Sequence, residues 1–346
     1  MRIGYNTWSM AKVPYTEFIP GLSEIGFGAI AISVVPGYTI GGQWVENAAA
    51  LDRLSADDRR QIKQAFVERD LKLPSVIGNQ SLVEDDADKN ALAMQRLRDS
   101  IDLCIELAID GHLPTMNTGV AGHSGDLEAK SALVLDRLGT LAEHARQQGV
   151  VICIEPHVGG AVDTVERAEW LIRTVDSPAV RLDFDVSHFE VVGVPMQTSV
   201  PRLLPLANAV EIKDQQFRYL DDGGVAPRRG AFRGNPPGTD SVDPQRDTFG
   251  GTGSAADNWL VEGNGVGRAT APNGRPVEFQ FLLAGEGTFD LPGYLKIVKA
   301  HGFAEPIAFE ASVQCQARPG YDGLASAAGI YRWMADGWQQ AGLSTD

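Results

Sequence analysis

"VVICIEPHVGG", residues 150–160, begins with the apolar, β-branched run Val150, Val151, Ile152 and Ile154, the composition of a strand buried on both faces. Glu155 and His157 follow without a polar spacer, Pro156 stands between them, and Gly159-Gly160 closes the run. A strand interior disfavours a carboxylate, so an acid at the strand's last position implies something there to hold. Three later segments repeat the arrangement: VRLDFDVSHF (180–189) reaches Asp185 with His188 three residues on, AVEIKD (209–214) carries Glu211, Lys213 and Asp214, and PIAFEAS (306–312) ends its apolar run in Glu310.

Outward from these segments, strand and helix signals alternate along the chain. Strands are predicted at 3–8, 29–34, 73–77, 113–117, 150–155, 180–185, 209–213 and 307–310. Helices are predicted at 15–25, 56–69 with Ser55 as N-cap, 88–108, 127–148 ended by Gly149, 163–175 with Asp163 or Thr164 as cap, a short one ending at 201–206, 290–300 and 324–340. Eight strand-then-helix units argue for an α/β fold, a closed parallel (β/α)8 TIM barrel. The alternative is an open doubly wound sheet, but no GxGxxG opens a helix after the first strand.

Residues 1–214 and 286–346 are assigned to the barrel. The stretch 215–285, with DDGG, PRRG, RGNPPGTD, FGGTG, EGNG and PNGRP, is far longer than an ordinary connection. Its aromatics (Phe217, Tyr219, Phe232, Phe249, Trp259, Phe279, Phe281) set it apart from a solvated linker. It follows the seventh strand, so it is read as a lid or small subdomain on the C-terminal face, a wall for substrate; a surface for assembly is the other reading.

The chain of 346 residues carries a formal charge of −15, which makes nucleic acid an unsuitable partner. The three cysteines, Cys104, Cys153 and Cys315, show no CxxC spacing and fall in apolar runs, as buried thiols in a reducing compartment would. MRIGYNTWSM has no apolar signal core and no run approaches a membrane span, so a cytoplasmic protein is expected.

Active sites of such barrels lie at the C-terminal ends of the strands. Glu155, Asp185, Glu211 and Glu310 all fall there, on four successive strands. One such acid alone reads as a cap or salt bridge. Four together would repel unless a divalent cation joins them, Mn²⁺ first, with Mg²⁺ or Co²⁺ as alternatives. His157 is then a base able to take a proton next to a carbonyl, or a hydrogen-bonding support for the cage. His188 is expected to touch a substrate hydroxyl, and Lys213 to hold a substrate oxygen or neutralise the site. His123, in the loop after the fourth strand, stays a candidate. His112, His144 and His301 are read as surface residues.

MRIGYNTW, IEPH (154–157), the Asp185-Val-Ser-His188 segment, EIKD (211–214) and GEGTFDLPGYLKIVKAHGFAEPIAFE (285–310) together resemble the xylose-isomerase-like barrel superfamily of sugar isomerases, epimerases and inosose dehydratases. The resemblance implies Glu155, Asp185, Glu211 and Glu310 as metal ligands, with Glu211 departing from the family's usual His. The long insertion and IEPH are most similar to the larger subunit of bacterial C-glycoside deglycosidases, which implies a 3-oxo-C-glycoside substrate and a small β-type partner subunit in a hetero-oligomer. The implied reaction is a carbon–carbon lyase: proton abstraction at C2 by His157, then elimination of the aglycone. The alternatives are a sugar isomerase or epimerase using the same first step, and a non-catalytic barrel. An aromatic wall from the insertion would favour the lyase.

Overall fold

The computed structural model describes residues 1–222, 260–261 and 266–345. Eight strands form a closed barrel: β1 (Ile3–Asn6), β2 (Ala29–Ser33), β3 (Ser75–Ile77), β4 (Thr115–Gly119), β5 (Ile152–Glu155), β6 (Val180–Asp185), β7 (Ala207–Ile212) and β8 (Ile307–Phe309). Every pair is parallel, and β8 closes on β1. The outer helices are α1 (Tyr15–Ile25), α2 (Ala56–Glu68), α3 (Ala87–Glu106), α4 (Asp126–Gln148), α5 (Val165–Val175), α6 (Met196–Leu203), α7 (Leu291–Ala300) and α8 (Gly323–Gln340).

Local chemistry sets the ends of these elements. Ser55 and Asp58 form a reciprocal capping box at the start of α2, and Thr164 accepts the Arg167 N–H at the start of α5. Gly149 ends α4 at φ 72°, where a side chain would be strained, and its N–H bonds the Ala145 and Arg146 carbonyls. β1 stops at Asn6, two residues before the predicted end: the Asn6 side chain accepts the Trp8 N–H and the chain turns into a short 3₁₀ segment, Thr7–Met10. A hairpin, Gly37–Ile40 with Gln43–Glu46, follows β2 and was not anticipated; its Tyr38 stacks on Trp8 with ring centroids 4.1 Å apart.

The described part of the insertion is a four-stranded antiparallel sheet. Asp214–Tyr219 pairs with Pro276–Leu282, which pairs with Val266–Thr270, which pairs with Leu260–Val261. Val277, Phe279 and Phe281 pack against Val158, Val191 and Val192, which lie just past the ends of β5 and β6. The aromatic wall expected of the insertion is therefore not formed by Phe279 and Phe281, which are 0% and 1% exposed and spent in this packing. Phe217 and Tyr219 pack beside the same cluster. Phe232, Phe249 and Trp259 lie outside the described residues. The three cysteines are free and buried. Among the described residues no helix is long and apolar enough to cross a membrane.

Asp214 joins the sheet to the barrel. Its carboxylate accepts the N–H groups of Gln215, Gly285, Gly287 and Phe289 at 2.8–3.2 Å, tying the outgoing and returning chains together. Asp214→Ala removes the acceptor for all four donors and is expected to cost about 3 kcal/mol in urea unfolding; an unchanged midpoint would show that the clasp is dispensable.

Candidate functional site

Strand register gathers the site. Asp185 on β6 lies opposite Glu211 on β7, and Glu211 lies opposite Ala308 on β8. Alternation sends residues two apart to the same side, so Asp183 and Asp185 both point inward, as do Glu211 and Lys213; all four are at most 3% exposed. The Lys213 ammonium stands at the centre of the mouth. Its Nζ is 2.5 Å from Asp185 Oδ2, 3.2 Å from His188 Nε2, 3.4 Å from Glu310 Oε1 and 3.5 Å from Glu155 Oε1. Asp185 is held from its other side by the Ser187 N–H at 2.9 Å and the Ser187 hydroxyl at 2.5 Å.

These contacts divide the carboxyls by charge. Burial opposes ionisation of Glu155 and Asp185, yet Lys213 and His188 hold both below the usual carboxylate range. Burial would likewise discharge Lys213, but Asp185, Glu310 and Glu155 hold its pKa above that of an ordinary lysine. Glu310 is pushed up to about 7 by burial and by the nearby Glu155 and Asp185.

Glu211 is engaged differently from the ligand position expected of it. Asn6 Nδ2 donates to both its oxygens at 2.8 and 2.9 Å and to Glu310 Oε2 at 3.2 Å. Burial, Asp183 and Glu310 raise its pKa well above the usual value, which favours its protonated form. Asp183 accepts from Asn117 Nδ2 at 2.6 Å, and burial and Glu155 raise its pKa as well. Sequence reasoning passed over Asn6, Asn117 and Asp183. The signal that singled out Glu155, a polar residue late in an apolar strand, was present at Asn6; Asp183 shares a face with Asp185 by simple alternation.

The two histidine rings lie against each other, centroids 3.9 Å apart and planes tilted by 41°. His188 is 1% exposed, and its Nε2 lies 3.2 Å from Glu155 Oε1. Phe281 of the inserted sheet meets its ring edge-on at 5.3 Å. His157 donates from Nδ1 to the Val158 carbonyl at 2.9 Å, which puts the lone pair on Nε2. Burial, then His188, lowers its pKa to about 3, so it is a neutral imidazole at physiological pH. Beside Glu155 and His157 is a small cavity of about 50 Å³, walled by Gly119, Gly122, Gly160 and Ala161. His123 lies apart, in a groove against the inserted sheet. His144 binds Asp102 and His301 bonds its own helix, both away from the mouth.

Glu155, Asp185 and His188 each offer one ligand atom, and these atoms lie within 4.8 Å of one another. Two carboxylate oxygens and an imidazole nitrogen suit a divalent cation such as Mn²⁺, Mg²⁺ or Zn²⁺. Asp185→Ala and Glu155→Ala are expected to abolish stoichiometric Mn²⁺ uptake measured by mass spectrometry of the eluted metal; undiminished uptake by both would remove the triad as the site. A second expectation concerns acid. The unfolded chain protonates His157 below about pH 6.5 while the folded chain keeps it neutral, so lowering the pH favours unfolding. Between pH 7 and pH 5 the wild type should lose about 1–2 kcal/mol more stability in urea than His157→Gln; equal losses would contradict a neutral buried imidazole.

The geometry can be set beside known proteins. The family described as the xylose isomerase-like TIM barrel matches residues 21–334. No curated protein matches the chain. Among solved structures, the chain is similar to a 3-keto-D-glucoside 4-epimerase from E. coli in its apo form (14% identity, 97% of this chain and 99% of that one, TM-score 0.62). It is also similar to a D-psicose 3-epimerase in the presence of D-fructose (11% identity, 99% and 100%, TM-score 0.65). A third, from Mycobacterium smegmatis in complex with magnesium, is 16% identical over 98% and 97% of the two chains, with a TM-score of 0.59. These low identities establish likeness of fold alone. With the barrel closed, the acids at its mouth and nearly the whole chain matched, this protein belongs to the xylose isomerase-like TIM barrel family.

Proposed function

We propose that this protein is a metal-dependent sugar epimerase or isomerase that removes and returns a proton on a carbon next to a carbonyl. The observation that carries the reading is the mouth itself: a Glu155–Asp185–His188 donor set beside a carboxyl, Glu310, whose pKa of about 7 suits proton transfer at neutral pH. Two of the similar solved structures are named sugar epimerases, which supports the same reading, while another is named a probable 3-DHS dehydratase.

In this scheme Glu155, Asp185 and His188 hold the ion, Mn²⁺ by preference and Mg²⁺ or Co²⁺ as alternatives. A bound divalent ion supplies Lewis acidity at the substrate carbonyl. Glu310 exchanges the carbon-bound proton, which it can carry near neutrality; the neutral His157, too weak a base at a pKa of about 3 to abstract that proton, accepts a substrate hydrogen bond at Nε2. Asn6 bonds both Glu211 and Glu310, which gives Glu211 a supporting role beside Glu310 in place of ligation. Lys213 offers its ammonium to a substrate oxygen. The small apolar cavity beside His157 takes a compact substituent of the sugar.

Cleavage of a 3-oxo-C-glycoside would begin with the same proton abstraction and differ only in where the electrons go next. Two of the similar solved structures are named sugar epimerases, so epimerisation is the reading put forward. The test is incubation of Mn²⁺-loaded protein in D₂O with D-fructose, D-psicose and 3-oxo-glucosides, and with a 3-oxo-C-glycoside in the presence and absence of a small β-type subunit. Sugar interconversion with deuterium at the exchanged carbon is expected. Aglycone release without interconversion would replace the reading by the lyase, and no exchange into any sugar would refute it.

Glu310→Gln is expected to lower turnover by about 10²–10⁴-fold while metal stays bound, and His157→Gln to lower it less. Retention of full turnover by Glu310→Gln would remove that residue from the proton path.

A further inference from the structure

All three residues of the candidate metal set touch the Lys213 ammonium, which also lies 3.4 Å from Glu310 Oε1. Nζ lies 2.5 Å from Asp185 Oδ2, 3.2 Å from His188 Nε2 and 3.5 Å from Glu155 Oε1. Those partners also face one another: His188 Nε2 is 3.2 Å from Glu155 Oε1 and 3.7 Å from Asp185 Oδ2. An ammonium donates and cannot accept, so Nζ and a divalent cation draw on the same lone pair of His188 Nε2. The lysine is 2% exposed, and Phe281 of the inserted sheet lies 5.8 Å from Nζ. An enclosed cation thus sits over the face formed by two carboxylates and an imidazole.

We propose that the Lys213 ammonium and a divalent cation compete for one donor face, so that loading the metal requires Nζ to leave Asp185, Glu155 and His188. The lysine serves as resident counter-charge until the metal arrives. Displaced, it is released for the substrate oxygen it is assigned above. The inference rests on the reading of the triad as a metal site and is independent of which sugar is turned over.

The test is calorimetric titration of Mn²⁺, and separately Mg²⁺, into wild type and Lys213→Met. The variant removes the charge while keeping an apolar stem, and it is expected to bind at least about tenfold tighter. Its melting temperature should fall without metal, because three carboxylates then face one another, and recover with it. Equal or weaker binding by the variant, or binding by neither protein, would overturn the competition. Should Lys213→Met fail to fold, the wild type answers the question through amidination of Lys213 by methyl acetimidate, followed by peptide mass spectrometry. Labelling that rises with saturating Mn²⁺ supports displacement, and labelling unchanged by Mn²⁺ overturns it. Failure here is separable from failure of the proposed function: equal metal affinities with sugar turnover sink only the competition, whereas tighter binding by the variant with no turnover of any sugar sinks only the function.

Discussion

One buried ammonium organises the mouth of this barrel. Lys213 is surrounded by Asp185, Glu155, Glu310 and His188 in a site almost closed to water. Opposite unit charges about 4 Å apart attract by about 4 kcal/mol at an effective dielectric near 20. Desolvation of each partner offsets much of this, so the arrangement is better understood as mutual charge maintenance than as net stabilisation. The carboxylates keep the lysine charged, and the lysine keeps Glu155 and Asp185 ionised. The other acids shift the opposite way. Burial and neighbouring carboxyls raise the pKa values of Glu211 and Asp183 well above the usual range, and that of Glu310 to about 7. The five acids at the barrel mouth thereby separate into carboxylates held ionised and carboxyls that favour a proton.

The inserted sheet depends on, and reinforces, the same arrangement. Asp214 follows Lys213 directly and anchors the chain's departure from the barrel and its return at Gly285–Phe289. The sheet then lays Phe281 against His188 and packs its apolar face on Val158 and Val192, residues that follow His157 and His188 closely. The insertion therefore holds two histidine-bearing loops in place. Phe279 and Phe281 do this by being buried.

Much of the fold was readable because barrel strands buried on both faces are continuous apolar runs and their helices carry ordinary caps. Ser55, Thr164 and Gly149 end elements where their chemistry predicts. Glu155, Asp185, His157, His188, Lys213 and Glu310 were legible for a simple reason: polar groups at the ends of parallel strands stand out. The division of labour among them was not. Register and side-chain reach place Lys213 over the donor face and send Glu211 to Asn6, and neither is encoded in spacing. The sheet within the insertion escaped notice because turn-rich composition hides short antiparallel strands, and Asn6 because a single amide in an aromatic segment reads as part of the strand.

In the proposed arrangement Glu155, Asp185 and His188 form a cation face that Lys213 covers, and anomalous diffraction from crystals soaked in Mn²⁺ would test it. A manganese peak is expected within bonding distance of Glu155 Oε1, Asp185 Oδ2 and His188 Nε2, with the Lys213 ammonium moved off Asp185. A peak elsewhere, or manganese on the triad with Lys213 still bonded to Asp185, would contradict it.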